Sequence, residues 1–161
     1  MILFAWSRLT PPGFIGGAEI TEGLWASFFA SLGHRVRFIG SAESPRDQGT
    51  KEQEWLLRLL THAGINYTQK DSQITYTWRG VECCSASQAE LVDLTRNALA
   101  ERPVLLWTSQ ERCDEIAALA RPVGIPVSTY IHSVSEVGCQ QDARAPQSHH
   151  SVPVKIGRAH V

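Results

Sequence analysis

Apolar strand-like runs alternating with amphipathic helical runs predict an α/β fold, a doubly wound and mainly parallel sheet carrying a β-hairpin insertion. Three observations predict it. The chain opens on a continuous apolar run, Ile2-Leu3-Phe4-Ala5-Trp6, of the kind buried on both faces of a parallel sheet. The stretch Thr10-Pro11-Pro12-Gly13-Phe14-Ile15-Gly16-Gly17-Ala18-Glu19 then separates that run from a helical pattern. Strand-like runs recur between helical ones, which implies right-handed crossovers and a sheet covered on both faces. At 161 residues, 43% hydrophobic and 19% charged, the chain suffices for one well-buried core and is short for two domains.

Taken in order, the elements follow from spacing. From Ala18 onward, Ile20, Leu24 and Phe28, with Trp25, Phe29 and Leu32, recur at helical spacing as one broad apolar stripe, and Gly33 stops the helix. Residues 35–40 read as a second strand, and 41–49 as a polar loop with Pro and Gly. Thr50-Lys51-Glu52-Gln53 matches a capping box, opening a helix that buries Leu56, Leu59, Leu60 and Ala63 and ends at Gly64. Residues 65–68 form a short strand. Runs 73–78 and 81–85, joined at Arg79-Gly80, predict an antiparallel hairpin with a tight turn, placed at an edge or as an insertion. Ser87-Gln88-Ala89-Glu90 is a second capping box, and its helix turns Leu91, Leu94 and Ala98 inward until Pro103. Residues 104–107 are the next buried strand. Ser109 is placed to cap a helix with Cys113, Ile116, Ala117 and Ala120 on one face, closing at Pro122 and Gly124. Residues 126–131 are the last strand, ending on His132-Ser133. Beyond Gly138 no period is evident.

The candidate site is the glycine-rich loop. Gly16 and Gly17 let backbone N–H groups approach a ligand with no Cβ in the way, and the helix that follows aims its partial positive end at the same point. A tight turn before a helix would also account for the two glycines. Ligands of doubly wound sheets sit beyond the carboxyl ends of the strands where the winding reverses. Were the first strand and the 104–107 strand to flank that reversal, three loops would converge: 7–17, the turn Thr108-Ser109-Gln110, and His132-Ser133. Glu19 and Glu22 suit the first turns of a helix as dipole-favourable acids as well as they suit a functional role, and a carboxylate at Glu19 would have to turn away from a phosphate. Ser109 fits a cap or a ligand contact, and His132 a site residue or a structural strand-end histidine.

These residues carry a resemblance. Pro11-Pro12 … Gly16-Gly17-Ala18-Glu19, followed by Leu32-Gly33-His34-Arg35-Val36, resembles the N-terminal domain of family 4 glycosyltransferases, enzymes of the GT-B fold. The likeness continues through Arg79-Gly80-Val81, Glu101-Arg102-Pro103-Val104 and Gly124-Ile125-Pro126-Val127, over roughly residues 1–135. It implies a single GT-B half with a Rossmann-like sheet over 1–138, and a retaining transfer of a sugar from a nucleotide-sugar donor to an acceptor. By the same resemblance Gly16, Gly17, Glu19, Ser109 and Gln110 would face donor or acceptor, and His132 matches the histidine that reaches the reacting sugar. No metal and no cofactor beyond the donor are implied. The family's second, donor-binding domain with its spaced pair of glutamates has no counterpart here, so the chain is expected to be inactive alone. Glu82 and Glu90 have the right spacing but fall across a strand and a helix start, with Glu90 already assigned to a capping box. A non-catalytic GT-B half that pairs with a separate donor-binding subunit is the rival reading.

Other classes fit less well. A nicotinamide-binding domain would need G-x-G-x-x-G after the first strand and an acidic residue closing the second, and the chain has Gly-Gly-Ala-Glu and Ile39-Gly40-Ser41 instead. A net charge of -1 gives no basis for a nucleic-acid partner. Cys83, Cys84, Cys113 and Cys139 show neither a C-x-x-C spacing nor a disulfide-dense pattern, so reduced thiols are expected. His149, His150 and His160 lie in a polar tail without further ligands. With no signal-like start and no apolar run long enough for a bilayer, a cytoplasmic location is expected, peripheral membrane attachment being left open. Residues 139–161 are expected to be disordered or artefactual: Lys155-Ile156-Gly157-Arg158-Ala159-His160-Val161 is what AAGATCGGAAGAGCACACGTC, a string resembling a common sequencing adapter, encodes in one frame.

Overall fold

The computed structural model describes residues 1–7, 10–13, 17–41, 50–109 and 113–130. They form an α/β unit with a seven-stranded, mostly parallel sheet and four α-helices, an arrangement compatible with a Rossmann-like fold. The strands are β1 (Ile2–Ser7), β2 (Val36–Ser41), β3 (Tyr67–Lys70), β4 (Gln73–Trp78), β5 (Val81–Ala86), β6 (Leu105–Ser109) and β7 (Val127–Tyr130). The helices are α1 (Gly17–Ser31), α2 (Thr50–His62), α3 (Gln88–Ala100) and α4 (Cys113–Ala120). Across the sheet the order is β3-β4-β5-β2-β1-β6-β7, with β5, β2, β1, β6 and β7 parallel and the two outer strands antiparallel neighbours.

β1 lies near the middle of the sheet because both of its faces are apolar. Ile2 and Phe4 point to one side and Leu3 and Ala5 to the other, and all four are buried. On the first side, Phe4, Phe38, Val36 and Val81 meet Ala26 of α1 and Leu56 and Leu60 of α2. On the second, Leu3, Ala5, Ile39 and Leu106 meet Leu91, Ala98 and Leu99 of α3 and Ile116 and Ala120 of α4. Register reinforces the first core: Phe4 is level with Phe38 on one neighbouring strand and with Trp107 on the other. The three rings form a row, Phe4 stacking at 5.6 Å on Phe38 and at 5.6 Å on Trp107.

The hairpin differs from an insertion. Its β5 limb is a full member of the parallel sheet, paired with β2 from Val36↔Val81 to Ser41↔Ala86, and only β4 and β3 extend outward. Val81, Cys83 and Ser85 are buried on one side while Ala86 is buried on the other, so β5 cannot sit at an edge. The tight turn is as expected: Arg79 (φ 47°) and Gly80 (φ 79°) both adopt the left-handed conformation that two-residue hairpins require. The short strand before it lies two residues further on than expected, at Tyr67–Lys70, because it must reach register with β4 across Asp71-Ser72.

The helix α1 also departs from its pattern. Trp25 and Phe29 pack toward the sheet, whereas Ile20, Leu24, Phe28 and Leu32 are 47%, 54%, 49% and 59% exposed. An apolar stripe this broad exceeds the width that one sheet face can cover. Ser109 is the last residue of β6, paired with Tyr130, and α4 starts only at Cys113, so Ser109 is not that helix's cap. Among the described residues no helix is long and apolar enough to cross a membrane. The expectations for 139–161 lie outside the described residues.

Two substitutions separate the covered from the uncovered positions. Phe4→Ala should destabilise the fold by about 3–5 kcal/mol. Leu24→Ala should stay within about 0.5 kcal/mol. Urea midpoints of the purified variants measure both.

Candidate functional site

The strand order reverses beside β1. From β1 the chain adds β2 and then β5 on one side, and afterwards crosses to add β6 and β7 on the other. The carboxyl ends of β1, β6 and β7 therefore stand side by side, at Ser7, Ser109 and Tyr130. Because β1 and β2 are parallel, α1 must run back against them, which puts its Gly17 end at the same edge of the sheet. The three loops singled out from sequence thus leave three adjacent strands at one edge.

Of the six site candidates, Gly17 is the first residue of α1, Glu19 lies in its first turn, and Ser109 closes β6. Gly16, Gln110 and His132 lie outside the described residues. No group of three or more His, Cys, Asp or Glu among the described residues could hold a metal ion.

What fixes the entrance of the loop was not singled out in the sequence. Residues Thr10 to Gly13 form a turn closed by the Gly13 N–H donating to the Thr10 carbonyl at 2.9 Å, with a cis peptide between Pro11 and Pro12. The turn is pinned to β4. The Tyr76 hydroxyl donates to the Pro11 carbonyl and lies 2.7 Å from Thr10 Oγ1. Burial pushes the Tyr76 phenol up, so it stays a neutral donor. Gly13 is closely packed: a Cβ there would lie 3.1 Å from the Thr10 carbonyl oxygen and 3.2 Å from Leu56 of α2, so these neighbours would have to give by a few tenths of an ångström. One signal was available: the alternation of β4 turns Tyr76 inward beside Ile74, and a buried tyrosine needs a partner for its hydroxyl.

A buried acid also lies on the sheet-facing side of α1. Glu22 is only 4% exposed, one turn before Trp25, whose ring stacks at 6.1 Å on Trp107 of β6. The indole N–H of Trp107 is itself a buried donor with no hydrogen-bond partner among the described residues. Glu22 is therefore more than a dipole-favourable surface acid, since a carboxylate enclosed this fully is costly unless its charge is matched.

Glu82, Glu90, Cys83 and Cys84 have structural surroundings. The Glu90 carboxylate accepts from the Ser87 N–H at 3.1 Å, the Ser87 hydroxyl at 2.6 Å, Gln73 Nε2 at 2.9 Å and the Ser72 hydroxyl, completing the capping box of α3. The Ser72 and Ser87 hydroxyls foremost hold its carboxyl down at about 2. Glu82 sits at the other end of β5 and pairs with Arg35 at 2.8 Å and Arg37 at 3.2 Å; these two arginines also bind Glu101. The Arg35 guanidinium, ahead of Arg37, keeps Glu82 below the usual carboxylate range. Glu82 and Glu90 are thus not a catalytic pair. Burial pushes both the Cys83 and the Cys84 thiols up, away from the thiolate form.

Tyr76→Phe should cost about 1–3 kcal/mol by stranding the buried Thr10 hydroxyl and Pro11 carbonyl, read as a shift in urea midpoint. For Glu90, a folded value of about 2 against the ordinary 4.5 means its contribution is fully present above pH 4.5 and lost as pH falls toward 2. Glu90→Gln should therefore be about 1 kcal/mol less stable than wild type near neutrality, the difference narrowing below pH 4.5. A gap independent of pH would show that the ionised carboxylate is not what caps α3. No protein-family pattern, characterised protein or solved structure shows a significant match to this chain.

Proposed function

We propose that this chain is the N-terminal, acceptor-side half of a retaining glycosyltransferase, a doubly wound Rossmann-like domain of the GT-B type that acts with the donor-binding C-terminal domain of the same two-domain enzyme. The observation that carries the reading is the position of Pro11-Pro12 … Gly16-Gly17-Ala18-Glu19: Pro11 and Pro12 follow β1, and Gly17 to Glu19 open α1, beside the point where strand order reverses. The resemblance of that motif and of the turns that follow it supplies the chemistry.

In this reading the Gly16-Gly17 backbone lies under the donor phosphates or the transferred sugar, where a helix N-terminus favours negative charge. His132 reaches the reacting sugar from the end of β7, and Ser109 and Gln110 contribute contacts from the end of β6. The donor is a nucleotide sugar, and neither metal nor redox cofactor takes part. The rival reading, a non-catalytic half that pairs with a separate donor-binding subunit, uses the same surface.

Catalysis by two facing walls requires both to hold the reactants in place, so the chain alone should transfer no sugar. Turnover of any nucleotide sugar by the purified chain would overturn the reading. In the two-domain protein, Gly17→Val should abolish transfer, and His132→Ala should lower kcat more than it raises KM. Near wild-type kinetics for both variants would move the site elsewhere. Transfer regained only on adding a separate subunit would favour the rival.

A further inference from the structure

Beside α3, on the sheet face away from α1, the structure holds a cavity that the transfer reading does not use. Among the described residues, α3 packs chiefly over β2 and β1 and leaves Thr75 and Thr77 of β4 and Thr68 of β3 exposed beside it. The resulting trough has a volume of about 560 Å³, well inside the range of small-molecule sites. Register puts Thr75 opposite Thr68 and Cys84, and Thr77 opposite Glu82, so these side chains share one face.

Two features define what the trough can hold. First, Thr68, Thr75, Thr77, Asn66 and Asn97 line it and make no side-chain hydrogen bond among the described residues, leaving hydroxyl and amide groups open to a ligand. Second, its charges are already compensated. The Arg37 guanidinium is held by Glu101 at 2.5 Å and Glu82 at 3.2 Å, so among the described residues the trough offers no free cation to a phosphate and no free anion to a basic peptide. Ile39 and Leu94 add a small apolar floor. Neutral donors and acceptors over a short apolar floor complement a ring that carries hydroxyls at its rim and C–H groups on its faces. Threonines opposite one another on paired strands stand about 5 Å apart, and those two residues along a strand about 7 Å, spacings on the scale of one sugar ring.

We propose that this trough binds an uncharged carbohydrate, one or two neutral sugar units. It lies on the flank of the sheet rather than at the carboxyl ends of β1 and β6, and the proposal stands whether or not the chain belongs to a transferase.

The test is a titration of the ¹⁵N-labelled chain with maltotriose, mannotriose and chitotriose, followed by amide shifts. Saturable shifts at Thr68, Thr75, Thr77 and Asn97 with at least one probe are expected, at affinities on the order of 1 mM. Thr75→Val with Thr77→Val keeps β-branched residues on exposed strand positions, and should weaken that binding by about tenfold or more with the melting temperature unchanged. Asn97→Ala, on the helix wall, provides the same readout should the double variant not fold. No saturable shift with any of the three probes would overturn the proposal. So would shifts confined to Gly17 and Ser109, which would instead favour an acceptor in the crevice. Tighter binding of inorganic phosphate at the same amides would overturn the assignment of a neutral ligand.

Discussion

The row of rings formed by Phe38, Phe4 and Trp107 fixes three strands at one level, and the rest of the molecule is arranged around it. Each stacked pair contributes roughly 0.5–1.5 kcal/mol beyond the area it buries. A slip of β1 by one residue would exchange Phe4 for Leu3 or Ala5 and turn the ring out of the row. Register is therefore set at the centre and propagates outward to β5 and β7. With β1 apolar on both faces, helices must cover both faces, and α1 and α2 do so on one side while α3 and α4 do so on the other. That division is what brings the ends of β1, β6 and β7 together at one edge.

Polar groups fasten the two ends of the strands. At the amino-terminal ends of the strands, Arg35 and Arg37 clasp Glu82 and Glu101 and tie the end of α3 to the start of β5. These pairs are half exposed, so their worth is register and orientation more than stability. Near the other end of β5, Glu90 fastens the start of α3 to the turn between β3 and β4 through Ser72 and Gln73. On the opposite face, Tyr76 fastens the Thr10-to-Gly13 turn to β4. The loop that enters α1 is thereby anchored at its start to the far side of the sheet.

Most of the fold was legible because its signals are local. Continuous apolar runs, the Ser87-to-Glu90 capping box and Arg79-Gly80 each specify their own conformation, and β1, β4, β5 and α3 fall within a residue or two of the expected bounds. The misreadings share one cause, that tertiary cover is not encoded in periodicity. Ile20 and Leu24 have the spacing of core residues, yet Trp25 and Phe29 fill the width that the sheet offers. Val81, Cys83 and Ser85 read as one limb of a hairpin at an edge or in an insertion, yet their neighbour β2 is drawn from residues more than forty positions earlier. Ser109 has the chemistry of a cap, but pairing with Tyr130 extends β6 through it. At the site, the glycines announced themselves by composition, whereas the Tyr76 anchor and the buried Glu22 depend on neighbours distant in sequence.

The same distinction bears on where chemistry can reside. An acid whose lone pairs are already filled, as Glu90's are by four donors, has been tuned toward permanent ionisation and is a poor proton donor or base near neutrality. A thiol raised by burial, as at Cys83, is equally unsuited to attack. Both occur along β5 and its junction with α3, so that flank has been given over to structure and to neutral polar groups. Glu22, by contrast, is enclosed on α1 one turn from the Trp25–Trp107 stack, toward the helix end that meets the crevice edge. An acidic side chain is thus enclosed at the opening turns of α1, where the helix dipole is positive.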